Sequence, residues 1–364
     1  MWSSLWYMSR RTSLLAIGAA LLCAALAGYY LFVAPTAGPT TSLFEFSDPP
    51  LSAPQQAGSA VSASRVVPPT LAAVASGETP PPPPSTAELQ AAHMELRATL
   101  VNIICTAPPG SGVHSISASG SIVTGTGYVI TNAHVAQYFL LPRKGVSCKL
   151  RTGNPAQVAY EAQVAYLPAR WVGDNMGVLV DPAPHGTGER DFAILAITGS
   201  ATKTPLPPQF PYISLASLPP VAKTWVVIGT YGAEMLSLTQ IVSALSPTIA
   251  VSAVKSLFTF GTSTVDVLTF GGSVAAQEGS SGGSVLGLGG TLLGVVTTSG
   301  AIGTSADRSL SALSAPYIRR EYQAQTGESL DMLLSRAPTE ALASFAPQAR
   351  ALEALILTTL PPAH

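Results

Sequence analysis

Three short stretches, far apart in the chain, carry a histidine, an aspartate and a serine in surroundings that suit nucleophilic catalysis. They are Thr131-Asn132-Ala133-His134-Val135, Asp191-Phe192-Ala193-Ile194-Leu195 and Gly279-Ser280-Ser281-Gly282-Gly283. A serine hydroxyl is a weak nucleophile until a base takes its proton. An imidazole does this when a carboxylate holds it in the useful tautomer. The charge that develops on the attacked carbonyl must also meet preorganised donors. Glycines beside the serine let backbone N–H groups converge there without steric conflict. Singly, each residue has a plain reading: a serine in a glycine-rich turn is usually only a turn, a histidine can cap a strand, and an aspartate before an apolar strand is usually a surface boundary. Their combination is harder to dismiss. Of the five histidines, only His134 ends an apolar strand; His93 falls on a predicted helix, His114 and His185 fall in loops and His364 is terminal. Asp174 and Asp181 compete with Asp191, but neither precedes a strand of the right type.

Other chemistries fit less well. Gly279-x-Ser281-x-Gly283 also satisfies the nucleophile elbow of α/β-hydrolases. That arrangement needs a helix straight after the serine and a later histidine, whereas Val285–Gly290 leads to another strand and only His364 follows. The glycine-rich run lacks the lysine and strand-to-helix setting of a phosphate loop. No His/Cys/Glu cluster has metal-ligand spacing, and no cofactor is expected.

With these residues in view, the chain resembles the trypsin-like (chymotrypsin-fold) serine proteases, nearest to the bacterial exported, HtrA-like branch. The resemblance rests on Gly-Ser-Ser281-Gly-Gly, Thr-Asn-Ala-His134-Val and Asp191-Phe-Ala-Ile-Leu, and covers residues 100–310. Gly294-Val295-Val296-Thr297-Thr298 resembles the strand that follows the nucleophile and lines the substrate cleft. The resemblance implies a mainly β fold, a chymotrypsin-like double six-stranded antiparallel β-barrel, with the site in the cleft between barrels. It implies peptide-bond hydrolysis through an acyl-enzyme on protein or peptide substrates. It also implies Ser281 as nucleophile, His134 as general base then acid, Asp191 as its orienter, and the N–H groups of Gly279 and Ser281 as the oxyanion hole. Two departures stand out. Ser280 occupies the place where many digestive members have the aspartate that pairs with a newly freed N-terminus, so that activation switch is expected to be missing. Ala275, Thr297 and Thr298 fall near the substrate pocket with no acidic residue at its base, so a small or apolar P1 side chain is expected rather than Lys or Arg. A competing reading from another class is a catalytically silent protease-like scaffold or binding module of the cell envelope. The full set of three residues weighs against it.

The elements that would position these residues read as short strands punctuated by Gly, Pro and Ser. Candidates are Leu100–Cys105, Ser115–Val123, Gly127–Thr131, Val146–Arg151, Phe192–Ile197, Trp225–Ile228, Ile241–Ser246, Leu257–Phe260, Val265–Phe270 and Leu292–Thr297, with a long loop over Tyr166–Arg190. Ser85-Thr86-Ala87-Glu88 has capping-box spacing, and Leu89, Ala92, Leu96 and Leu100 follow at helical intervals. From Pro316 the pattern turns helical again, with pieces over Ser329–Leu334 and Glu340–Leu357, the last interrupted by Pro347.

At 364 residues, with 18 Lys and Arg against 19 Asp and Glu, the chain offers no basic stripe for nucleic acid. Four parts are expected: residues 1–34 as a membrane anchor or signal, 35–84 as a Pro/Ala/Ser-rich disordered linker, 85–315 as the protease domain with its leading helix, and 316–364 as a helical extension. Arg10 and Arg11 precede an uncharged run over 12–34, and no Lys or Arg follows until Arg65. This asymmetry places the N-terminus in the cytoplasm and the rest outside it, in the periplasm or at the cell exterior. Ala25-Leu26-Ala27 leaves a cleaved signal as the alternative to a retained single-pass anchor. The proline-rich linker cannot bury enough apolar surface to fold and reads as a tether. Outside the cytoplasm, Cys105 and Cys148 are expected to bond to each other, which could contribute roughly 4 kcal/mol; two separate buried thiols are the alternative. Nothing in the sequence fixes the oligomeric state.

Overall fold

The computed structural model describes residues 81–181, 187–234, 236–261, 263–299 and 310–360. Six strands form the first barrel: β1 Leu100–Thr106, β2 Ile116–Ile122, β3 Tyr128–Thr131, β4 Ser147–Thr152, β5 Gln157–Tyr166 and β6 Ala193–Ser200. They close in the order β1-β2-β3-β6-β5-β4. The second sheet holds β7 Ser214–Leu215, β8 Trp225–Thr230, β9 Thr248–Phe258, β10 Val267–Phe270, β11 Ser284–Gly287, β12 Thr291–Ser299 and β13 Leu310–Ser314. Its order is β11-β8-β9-β10-β13-β12-β7, and a further β11–β12 pairing closes the first six into a second barrel, with β7 lying parallel to β12. The protein is therefore built on two closed six-stranded antiparallel barrels. Closure removes exposed sheet edges.

Helices join and cover the barrels. α1 (Thr86–Thr99) starts from the expected capping box, with Ser85 N–H on Glu88 Oε2 at 2.8 Å and Glu88 N–H on Ser85 Oγ at 3.3 Å. Its buried face is Ala92, Leu96 and Thr99. Leu96 fills the space above Gly229 of β8, so the helix rests on the second barrel before the chain enters β1 of the first. Short helices α2 (Ala133–Ala136) and α3 (Ala169–Asp174) belong to the first barrel, and α4 (Leu238–Ala244) follows β8. The extension forms α5 (Ala315–Thr326), α6 (Leu330–Ser335) and α7 (Pro338–Leu357). α7 lays Ala341, Phe345, Leu352 and Ile356 against the outside of the first barrel. There Tyr166 stacks with Tyr322 at 4.6 Å, Phe192 at 5.9 Å and Phe345 at 6.3 Å between ring centroids.

Several expectations change. The segment read as a strand over Ile241–Ser246 is mostly α4. A second capping box, Ser237 with Gln240, starts that helix and overrides the β-branched residues. No strand was expected over β5, yet it is the longest strand of its barrel. The loop that follows includes α3, and β9 begins earlier, at Thr248. β11 and β13 were not separately foreseen. Pro347 sits inside an uninterrupted α7. Cys105 and Cys148 face each other across β1 and β4 and are bonded. Among the described residues no helix is long and apolar enough to cross a membrane; the segment 12–34 lies outside them. Most of the expected linker also lies outside. Its last prolines, 81–84, are described, and Trp225 Nε1 donates to the Pro81 carbonyl at 3.3 Å.

Candidate active site

The antiparallel pairing of β3 with β6 brings the first two candidates together. Thr131 pairs with Ala193, so the residues just after β3 lie beside those just before β6. His134, in α2, and Asp191 meet at that end. His134 Nδ1 lies 2.8 Å from Asp191 Oδ2, and the backbone N–H of His134 donates to Oδ1 at 2.9 Å. Thr297, on β12 of the other barrel, donates its hydroxyl to Oδ2 at 2.9 Å, and Asn132 Nδ2 donates to the Asp191 carbonyl at 2.8 Å. Asp191 is 5% exposed. A buried carboxylate is tolerable only when it is hydrogen-bonded, and here both oxygens have donors. Because a carboxylate accepts, the ring proton belongs on Nδ1, which leaves Nε2 as a lone-pair acceptor. The His134 side chain is 31% exposed.

The backbone ahead of Asp191 is held from outside the barrel. Arg190 has φ 62, a left-handed conformation that non-glycine residues rarely adopt. Its N–H donates to Tyr317 Oη at 3.0 Å and its Nε to Glu321 Oε1 at 2.8 Å, both on α5. Part of the C-terminal extension thus fixes the approach to the carboxylate.

Ser281 enters from the second barrel, in the turn ahead of β11. Its carbonyl accepts from the Ser119 N–H at 2.8 Å, while the Ser119 carbonyl accepts from Thr131 Oγ1 at 2.8 Å. The next residue, Gly282, donates to the Val296 carbonyl at 2.8 Å. The serine turn is therefore pinned between the end of β3, which leads to His134, and the segment of β12 that touches Asp191. Gly282 has φ 83, and a Cβ there would run into Ser119 O and Thr131 Oγ1. Only glycine allows this approach. Ser281 is half-buried, and among the described residues no hydrogen bond engages its Oγ, with His134 or any other partner.

The peptide planes around Ser281 are set by their carbonyls. Glu278 O accepts from the Ala233 N–H at 2.7 Å, and Ser280 O accepts from the Gly283 N–H at 2.9 Å. In a planar trans peptide the following N–H points the opposite way. The N–H groups of Gly279 and Ser281 therefore face away from those donors, and no backbone hydrogen bond among the described residues takes up either one. Gly279, with φ 88, has its carbonyl held by Ser119 Oγ at 2.8 Å. Such a pair of oriented donors suits a developing oxyanion.

Ser280 is buried and bridges its own loop: Oγ donates to the Ala275 carbonyl at 2.5 Å and accepts from the Gln277 N–H at 3.1 Å. The turn is shaped internally at the position where an aspartate was noted as missing. Ala275 is fully buried, and Thr297 directs its hydroxyl to Asp191 rather than to a pocket; the side chain of Thr298 lies outside the described residues. Among the described residues no group of three or more His, Cys, Asp and Glu could hold a metal. Sequence reasoning missed Ser119, Asn132 and Ala233. A signal existed for the first: Ser119 and Ser121 recur at alternate, fully buried positions of β2, where a strand with only a packing role would carry apolar side chains.

Residues 118–295 match the family model described as the trypsin-like peptidase domain. No curated protein matches the chain. Among solved structures, the chain is similar to the Rv3671c protease in inactive form, at 20% identity and TM-score 0.42, over 68% of this chain and 98% of that one. It is likewise similar to the Rv3671c protease from M. tuberculosis in active form, at 19% identity and TM-score 0.42, over 75% and 96%.

Proposed function

We propose that this chain is a serine endopeptidase that cleaves protein or peptide substrates through Ser281, His134 and Asp191, a reading supported by its match to the trypsin-like peptidase domain. In this reading Ser281 Oγ attacks the scissile carbonyl carbon while His134 Nε2 takes the hydroxyl proton. The carbonyl π electrons move onto oxygen, where the N–H groups of Gly279 and Ser281 receive the charge. The C–N bond then breaks, and the imidazolium returns its proton to the leaving amine. Water, deprotonated by the same nitrogen, releases the acyl group and restores the serine. Asp191 keeps Nδ1 protonated and stabilises the imidazolium. The observation that carries the reading is the double hold of His134 on the buried Asp191 carboxylate, by ring and by backbone N–H. Such an arrangement fixes one tautomer and aims the other nitrogen outward.

The uncharged run over 12–34 after Arg10 and Arg11 supports a membrane-tethered enzyme whose catalytic domain faces the periplasm or cell exterior. No acidic residue stands at Ala275, Thr297 or Thr298, the positions read from sequence as the pocket, which supports a small or apolar P1 side chain. The test is a peptide-library digest by the full chain and its Ser281→Ala variant. Cleavage after small or apolar residues by the wild type alone is expected. A folded wild type that cleaves nothing would favour the silent scaffold, and cleavage confined to Lys and Arg sites would remove the P1 assignment.

A further inference from the structure

Arg151, on β4 of the first barrel, is 2% exposed, and no ion pair with it occurs among the described residues. Its guanidinium instead meets backbone carbonyls. Nη1 and Nη2 each donate to Ile241 O at 2.9 Å, and Nη2 also donates to Ala156 O at 3.0 Å. A buried cation costs several kcal/mol in desolvation, of order, unless its donors are satisfied, so this is an unusual way to fill space. Ile241 lies in the last turn of α4, where helix carbonyls lack intrahelical partners and the helix dipole favours a cation. The planar fork of an arginine can hold two acceptors at once, which a point-charge ammonium does less well. Beside it, Ala156 N–H donates to Leu245 O at 2.7 Å and Tyr231 Oη donates to Gly153 O at 2.9 Å. The first barrel thus grips the segment that follows β8 at both ends: Tyr231, whose N–H also donates to Ser119 Oγ at 2.8 Å, and α4.

Between those grips stands Ala233, and its N–H is the donor that fixes Glu278 O at 2.7 Å. Leu236 N–H closes a turn back on Ala233 O at 3.0 Å, linking that residue to the start of α4. The peptide joining Glu278 to Gly279 could rotate and point its carbonyl, not its N–H, toward the substrate. The Ala233 N–H opposes that rotation.

We propose that Arg151 is a positioning residue for the oxyanion site: by anchoring α4 to the first barrel it holds Ala233 against Glu278 O and so keeps the Gly279 N–H aimed at the substrate carbonyl. The proposal rests on the reading of Ser281 as nucleophile. It makes the donor geometry of one barrel depend on a charged side chain of the other, about which the sequence of the serine turn says nothing.

The test uses the full chain and two variants, Arg151→Met, which keeps an apolar stem, and Arg151→Lys, which restores one donor group. Displacing an oxyanion donor predicts a fall in kcat of about 10- to 100-fold for Arg151→Met with KM nearly unchanged, and an intermediate value for Arg151→Lys. Affinity for a peptide boronate, which mimics the tetrahedral state, should fall in step with kcat/KM. Affinity for an unreactive peptide of the same sequence should not. In amide exchange, Ala233 should lose protection while Leu150 of β4 keeps it. A folded Arg151→Met with unchanged kcat, or with Ala233 still protected, overturns the proposal. Failure of both variants to fold overturns it too, since the guanidinium would then determine the fold rather than the turn. Absence of Ser281-dependent turnover in the wild type would instead remove the underlying reading.

Discussion

Asp191 gathers more hydrogen bonds than a boundary residue needs. Its side chain receives three, from His134 N–H, the His134 ring and the Thr297 hydroxyl, and its carbonyl a fourth from Asn132. The Thr297 bond spans the two barrels, so the carboxylate is oriented by both. Thr297→Val keeps the shape of the side chain and removes the donor. Hydrogen bonds to charged groups contribute about 1.5–3 kcal/mol, so kcat/KM is expected to fall roughly tenfold or more, with the fold intact by circular dichroism. Unchanged steady-state kinetics would mean that the hydroxyl does not help to hold the carboxylate. Thr297 was expected as a pocket residue, and its hydrogen bond to Asp191 was not foreseen. The stretch that follows the nucleophile was expected beside the substrate, yet which side of β12 this residue faces depends on strand register, and one residue of slip reverses it.

The C-terminal helices show what charge adds to packing. Glu328, after α5, accepts from Tyr322 Oη at 2.7 Å and pairs with Arg336 at the end of α6. The Tyr322 hydroxyl first, then the Arg336 guanidinium, hold its carboxyl below the ordinary value of 4.5, against an opposing effect of burial. A depressed carboxylate stabilises the fold at pH above its unfolded pKa and loses that contribution as pH falls through the folded one. Wild type should therefore exceed Glu328→Gln in urea stability at neutral pH, and the gap should close as the pH is lowered below about 4.5 toward the folded pKa. A gap that stays constant across that range would assign the difference to shape, not charge. These helices were legible in the sequence because Ser-x-x spacing, Pro316 and apolar repeats act within a few residues. The strands around the serine were partly legible for the same local reason. α4 was not, because its seven residues carry β-branched side chains and only the Ser237–Gln240 pair betrays the helix. β5 was obscured by its half-exposed face. Contacts such as Ser119 with Ser281, or Ala233 with Glu278, are long-range products of barrel closure, and no local pattern encodes them.

The termini tie the two barrels together. α1 packs on the second barrel and feeds β1 of the first, while β13 of the second feeds α5, which packs on β12 and β13, and the chain then reaches α7, which covers β5 and β6 of the first. Phe345, 6% exposed on α7, should cost about 3–5 kcal/mol when replaced by Ala. Because α5 also holds Arg190, loosening of the extension should depress activity before global unfolding, read as an earlier thermal midpoint for turnover than for ellipticity. Coincident midpoints would show that the helices only add stability. The proposed reaction depends on one oxygen, Ser281 Oγ. Its most direct measurement is peptide mapping of the full chain after reaction with a fluorophosphonate, with His134→Ala in parallel. A single adduct on Ser281, lost in the His134 variant, is predicted. An adduct on another serine, or none on a folded wild-type chain, would contradict it.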